Sequence, residues 1–226
     1  MLISAIMITG KNPLRNDLAS VAVRCFHEQS YGQKELVIIN DSGTPLLKNK
    51  HPLVKEICLQ KNTLITLGEL RNVGLENASG DLVIQWDDDD WHHPKRIVIQ
   101  ASCWKTGAAV LLDHQIRYSF HHQKSLLFRK QRGIEGTILH ERLIKHRYPS
   151  IRRREDTIFL KYFREIRTAE YFEPLYIRFF HQANTWGASH IMLGQQNSLI
   201  RDECKLSEPQ LTLLQRVLTE YYPFRT

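Results

Sequence analysis

No apolar run in this chain approaches the roughly 18–20 residues needed to cross a bilayer, so a helical membrane span is not expected. The opening stretch Met1-Leu2-Ile3-Ser4-Ala5-Ile6-Met7-Ile8 lacks a basic leader and reads as a first strand, not as a signal peptide. Cysteine is sparse: Cys25, Cys58, Cys103 and Cys204 are scattered without paired spacing, which suits a reduced, cytoplasmic setting. Internal repeats, low-complexity tracts and a convincing linker are missing, so one domain is preferred for the 226 residues. An excess of acid is missing too. The net charge is +7, and it is concentrated in Arg129-Lys130-Gln131-Arg132, Lys145-His146-Arg147 and Arg152-Arg153-Arg154. Such clusters ask for a polyanionic partner, whether a nucleoside diphosphate, an anionic membrane surface, a phosphorylated acceptor or nucleic acid, or else form a solvated face.

Against that basic background stand four consecutive aspartates, Asp87 to Asp90, following the apolar run Leu82-Val83-Ile84-Gln85-Trp86. Adjacent carboxylates repel, and a strand does not normally end in four of them unless something cationic sits there. Pro94 then opens a helix to about Lys105. The cluster therefore falls where a strand leaves its sheet, the usual ligand position in open α/β folds. Hard oxygen ligands there suit Mg²⁺ or Mn²⁺ held against a diphosphate. A solvated acidic turn capping the next helix is the alternative.

Strands are expected at 3–8, 36–39, 54–59 and 82–86, with helices at about 16–29 and 69–77 between them. This alternation predicts a mostly parallel sheet with helices on both faces. Further on, strands are expected at 108–118, 126–128 and within 170–180, and helices at 138–147, 155–164 and 207–222. The last of these places Leu211, Leu214, Leu218 and Tyr221 on one face. The early strand ends deliver Thr9 and Asn12, then Asp41, then the aspartates. Asp41 can accept from a nucleobase or ribose, but Asp-Ser-Gly is also good turn chemistry. Arg71 offers a planar, permanently charged fork to a base carbonyl or diphosphate.

Together these motifs resemble family 2 of the nucleotide-diphospho-sugar glycosyltransferases, which have the GT-A fold. Ser4 to Asn12 is similar to that family's first strand and Thr-x-x-Asn turn, and Glu35 to Gly43 to its second strand. Leu70-Arg71-Asn72-Val73-Gly74, with Gly80-Asp81 after it, is similar to its Ala-Arg-Asn-x-Gly helix. Asp87 to Asp90 stand at its Asp-x-Asp metal motif, and Arg154-Glu155-Asp156 at the acidic pair that opens a helix in its second half. Asn40 and Arg154 depart from the family pattern, which has Asp and Gly there.

The resemblance implies a GT-A, Rossmann-like α/β domain over residues 1–190, with a nucleotide-sugar half (1–106), an acceptor half (107–190) and a small C-terminal helical extension (191–226). It implies a metal-dependent, inverting, hexosyltransferase-type enzyme of polysaccharide or glycoconjugate synthesis. The donor would be a nucleotide-sugar, UDP-linked by preference, and the acceptor a saccharide or lipid-linked. Thr9, Asn12, Asp41, Arg71, Asp87 and Asp88 would bind the donor. Asp89, with Asp87 and His181, would hold Mn²⁺ or Mg²⁺. Asp156 would be the base, with Glu155 second, because inversion at an anomeric carbon needs a stronger nucleophile than a neutral alcohol. Peripheral attachment to the anionic inner face of a membrane is expected of Lys145 to Arg154 and the terminal helix; nucleic acid is not an expected partner. His92 and His93 are expected to face solvent or acceptor, and Trp91 and Trp186 either a sugar or the core. A sugar-phosphate nucleotidyltransferase and a non-catalytic nucleotide- or nucleic-acid-binding module are the competing readings.

Overall fold

Strands β1 (Ile3–Thr9), β2 (Lys34–Asn40) and β4 (Leu82–Asp87) are nearly continuous apolar runs, as strands covered on both faces must be. Their side chains alternate between two cores. Ile3, Ala5, Met7, Leu36, Ile38, Leu82, Ile84 and Trp86 enter one core; Ile6, Val37, Ile39 and Val83 enter the other. The first core is closed by α1 (Asn16–His27), α3 (Arg96–Cys103) and α5 (Glu208–Tyr221), and the second by α2 (Leu67–Asn77) and α4 (Glu155–Phe159). Helices thus cover both faces. The computed structural model describes residues 1–10, 15–47, 51–60, 64–181, 184 and 203–223.

The described residues form a ten-stranded, mostly parallel sheet. Its main path adds β3 (Val54–Cys58), β5 (Trp91–His92), β6 (Ala108–Ser119), β7 (Lys124–Glu141) and β9 (Tyr176–Phe180), in the order β3-β2-β1-β4-β7-β6-β9-β5. β8 (Glu165–Ala169) pairs with β6, and β10 (Glu203–Cys204) with β7. β1 runs parallel to both β2 and β4, whereas β7 is antiparallel to β4 and β6.

Local chemistry sets the helix ends. A capping box starts α2: Glu69 N donates to Thr66 Oγ1 at 3.3 Å, and Thr66 N to Glu69 Oε2 at 2.7 Å. Gly74 is required inside that helix, because a Cβ there would lie 2.4 Å from Ile6 Cγ2 on β1. α1 presents Leu18, Val21, Ala22, Cys25 and Phe26 to the core at helical spacing.

The second half departs from expectation. Residues 138–147 are not helical: Ile138 to Glu141 end β7 and pair with β4, Leu139 opposite Ile84 and His140 opposite Val83. Partnering with a buried strand overrides a weak local helical pattern. The helix expected over 155–164 stops at Phe159 and gives way to a 3₁₀ turn at Leu160–Tyr162. The expected strand within 170–180 is confined to β9. α5 forms as expected but is rotated: Leu213, Leu214 and Val217 are buried, while Leu211 is 48% exposed. None of the described helices is long and apolar enough to cross a membrane.

Candidate functional site

The strand order reverses between β1 and β4, since the chain moves outward from β1 through β2 and β3 and then returns on β1's other side. Crevices beyond the carboxyl ends of strands at such a point are where α/β sheets bind ligands. Thr9 ends β1, Asp41 follows β2 and Asp87 ends β4, and all three line one cavity of about 860 Å³. Gly10 has φ +136°, and a Cβ there would stand 2.3 Å from Asp41 Oδ1, so glycine lets that carboxylate rest against the end of β1. Asn40 accepts from Ser42 N at 2.9 Å and donates to Thr44 O at 2.9 Å, shaping the turn that presents Asp41.

The aspartate run is buried, not a solvated turn: Asp88, Asp89 and Asp90 are 1%, 8% and 2% exposed. The four carboxylates draw on shared partners. Asp87 accepts from Tyr176 Oη at 3.0 Å and Gln85 Nε2 at 3.1 Å. Asp90 accepts from Phe179 N at 2.8 Å and from Tyr176 Oη, which ties the turn to β9. Burial and the charges of Asp89 and Asp87 push its carboxyl well above the ordinary range, against the pull of Arg178.

Asp88 and Asp89 share a resident cation. The Arg15 guanidinium, just ahead of α1, bonds Asp88 Oδ1 and lies 3.0 Å from Asp89 Oδ2. Asp89 also accepts from Asn184 Nδ2 at 3.0 Å and stands 3.2 Å from His181 Nε2. Burial opposes its charge, but Arg15 and His181 hold the Asp89 carboxyl well below the usual range. Burial pushes Asp88 the other way, to about 7, against the pull of Arg15.

Facing this rim, α2 and α4 bring together Arg71, Glu155 and Asp156. Arg71 Nε donates to Glu155 Oε1 at 3.0 Å, and its Nη2 lies 3.7 Å from Asp87 Oδ1. Asn72 fixes the neighbouring segment, donating to Tyr148 O and accepting from Tyr148 N, both at 2.9 Å. Asp156 Oδ1 accepts from Thr157 N at 2.6 Å. Its other oxygen points to Gly136 on β7: a Cβ there would lie 4.0 Å from Asp156 Oδ2 and 3.6 Å from Asp87 Oδ2. Glycine keeps the lane between those two carboxylates clear. Burial raises the Asp156 carboxyl above its ordinary value, with Arg71 pulling it back. Arg71, not the run Arg152 to Arg154, is its principal cationic neighbour.

Among the described residues no three His, Cys, Asp or Glu side chains converge as a ready metal cage. The donor set nevertheless fits a hard divalent cation. Asp89 already meets a cation, Arg15 at 3.0 Å, and stands 3.2 Å from His181 Nε2, and Arg15 Nε is buried without a hydrogen-bond partner among the described residues. Mg²⁺-type sites need only one or two carboxylates when substrate phosphates complete the shell.

Of the expected site residues, Thr9, Asp41, Arg71, Asp87, Asp88, Asp89, Glu155 and Asp156 line the one cavity, and His181 touches it through Asp89. Asn12 and Trp186 lie outside the described residues. His92 and His93 do not face solvent: they are 1% and 7% exposed, with His92 stacked on Trp86 at 3.8 Å between ring centroids. Trp91, at 2% exposure, belongs to the core. Arg15 and Tyr176 were invisible to sequence reasoning. The only signal for Arg15 was the demand of four adjacent carboxylates for some cation.

Parallel strands ending in an acid-lined cavity at a chain reversal, with a carboxylate pair opposite, define a GT-A type nucleotide-sugar fold. The model of the glycosyl transferase family 2 matches residues 12–164, more than half of the chain, and the chain belongs to that family. Among solved structures, S. aureus TarS 1–349 is 15% identical with a TM-score of 0.59, over 79% of this chain and 60% of that one. TarS 1–349 in complex with UDP is 15% identical (TM-score 0.58, 80% and 61% covered), and in complex with UDP-GlcNAc 12% identical (0.58, 99% and 74%). At such identity the likeness is one of fold, and the chain spans about 60% of the length of the first of these. No curated protein matches it.

Proposed function

We propose that this protein transfers a sugar, with inversion, from a nucleotide-diphospho-sugar to an acceptor hydroxyl. The observation that carries the reading is the single cavity in which Asp156 faces Asp87 across Gly136. One carboxylate thereby sits with the donor rim and the other is aimed at it from the opposite wall. Thr9 and Asp41 receive the base and ribose, Arg71 spans from Glu155 towards Asp87, and Asp88 lies beside the ribose. The UDP and UDP-GlcNAc complexes of TarS favour uridine as the base. Residues 1–106 form the donor half, 107–190 the acceptor half, and 191–226 a helical extension.

Asp89, with Asp87 and His181, would hold Mn²⁺ or Mg²⁺, which supplies Lewis-acid charge against a departing diphosphate. Arg15 must then leave its place between Asp88 and Asp89 and take up phosphate oxygens. Asp156 accepts the proton of the attacking hydroxyl; a carboxyl raised by burial is a better base near neutral pH than an ordinary one. Glu155, expected as second member of the pair, holds Arg71 in position.

The test is release of nucleoside diphosphate from a panel of nucleotide-sugars with Mn²⁺, Mg²⁺ or EDTA, since slow donor hydrolysis needs no acceptor. UDP-sugars should be cleaved in the presence of metal. Cleavage of none of them would sink the transferase reading, and equal cleavage in EDTA would remove the metal from it.

A further inference from the structure

The aspartate turn is closed at its neck from the buried side. His92 Nε2 lies 2.9 Å from the carbonyl oxygen of Asp87, so one hydrogen bond joins the residue that ends β4 to the strand that follows the turn. A carbonyl only accepts, so His92 donates through Nε2 and its Nδ1 is left as an acceptor. Nδ1 faces Nη1 of Arg96, and a guanidinium only donates. Both contacts therefore select one neutral tautomer, and the stack on Trp86 fixes the ring plane.

Arg96, the first residue of α3, is 0% exposed. Its Nη1 meets His92 on the arm after the aspartates, and its Nη2 donates to Gln85 O at 2.9 Å on the arm before them. One fork thus spans the neck. Nε donates to Gln100 Oε1 at 3.1 Å, and Gln100 in turn donates to Thr137 O at 2.7 Å and Val110 O at 3.1 Å. Thr137 follows Gly136, so the same buried network ties the aspartate turn to the strand that borders the lane to Asp156.

Packing alone does not explain a cation here. The acceptors that Arg96 bonds are all neutral, and among the described residues no carboxylate forms an ion pair with it. Burial draws its pKa down to about 10, with Tyr176, Asp87 and Asp90 opposing, so the charge persists at neutral pH. An apolar side chain of similar volume would avoid the cost of burying that charge. It would not supply a rigid fork with donors at fixed angles.

We propose that Arg96 and His92 are positioning residues for the donor: they hold the neck of the turn so that Asp87 and Asp89 are set to receive a nucleoside diphosphate and its divalent cation. Neither side chain touches the donor in this scheme; both act through the main chain of Gln85 and Asp87. The inference rests on the transferase reading and adds to it the residues that fix the donor rim.

The test is calorimetry of UDP binding in the presence of Mn²⁺. His92→Phe keeps a ring on Trp86 but loses both hydrogen bonds, and it should weaken binding about 10–100-fold, the usual worth of a group that orients a ligand-holding residue. His92→Gln regains an N–H that can reach Asp87 O and should recover most of that loss. Arg96→Lys keeps the charge but cannot span Gln85 O and His92 together, so it should resemble His92→Phe. Melting temperatures are measured alongside, and affinities are compared where the variants are folded. The His92 pair decides the question even where Arg96→Lys does not fold. Without any ligand, nitrogen NMR signals of the wild-type His92 ring should show Nε2 protonated and Nδ1 bare. Wild-type affinity in His92→Phe, no recovery in folded His92→Gln, or the opposite tautomer would overturn the proposal. Failure of UDP to bind the wild-type protein would instead remove the donor reading, and this inference with it.

Discussion

β1 to β4 run parallel and deliver carboxylates to one rim, whereas β6, β7 and β9 run in mixed directions and bring the cations Arg117, Lys130 and Arg178 to the same cavity. The first region draws part of its compensation from the second: Arg15 sits on Asp88 and Asp89, but Tyr176 and Phe179 N of β9 bond Asp90, and Arg178 of β9 lies in charge contact with Asp90, Asp87 and Asp89. The second region stacks Arg117 on Phe128 and sets Arg178 near Phe180, while Arg152 to Arg154 lie exposed in the segment before α4. The comparison teaches that the carboxylate rim is completed by groups from the second region, and in the proposed reaction it exchanges one cation, Arg15, for another. Asp156 and Arg71 stand on the seam between them.

The comparison breaks most severely at that seam. Asp156→Asn should lower the turnover of transfer by about 10²–10⁴-fold, the usual worth of a general base. Nucleoside diphosphate affinity, read by calorimetry, should stay within about twofold, because the side chain touches no donor group in this reading. A matching loss of affinity would make Asp156 a donor-binding residue instead.

Arg71→Ala should cost about 3–5 kcal/mol of stability, since it strands the buried Glu155 carboxylate and one side of Asp87. Urea denaturation would measure it, and Glu155→Gln introduced into the same variant should recover part of the loss. No recovery would show that the cost lies in packing against Tyr148 and not in charge.

Arg15→Gln sharpens the picture of exchangeable cations. With its resident guanidinium gone, the rim should bind Mn²⁺ about tenfold more tightly without donor, as electron paramagnetic resonance can report, and the gain in melting temperature on adding Mn²⁺ should exceed that of the wild type. Unchanged or weaker Mn²⁺ affinity would mean that Arg15 and the metal do not compete.

The smallest effect is on pH dependence. The Asp156 carboxyl is raised by burial, and the base acts deprotonated, so activity falls as pH falls through its folded pKa. The acid limb of kcat/KM should therefore lie above the position set by an ordinary aspartate. The linkage to stability has the opposite sense: a raised carboxyl contributes stability below its unfolded pKa and loses it as pH rises through the folded one. An acid limb at the ordinary carboxylate position would assign the profile to another group.

Sequence by itself determined the first half of the fold. Continuous apolar strands, amphipathic helices and turn residues at strand ends are local patterns, and they place Thr9, Asp41 and Asp87 on one rim once the sheet is parallel. The Glu155–Asp156 pair was legible too, as acid opening a helix. Tertiary structure decided what lies between these motifs. That the aspartate run is buried, that Arg15 neutralises it across more than seventy residues of chain, and that Tyr176 pins Asp90 are pairings between distant segments with no sequence spacing to betray them. Residues 138–141 made a strand because β4 offered an edge, a long-range contact that outweighs local helical periodicity. The register that sets Arg117 beside Arg178 likewise exists only after β6 and β9 pair, because charge alternates along a strand but meets charge only across one.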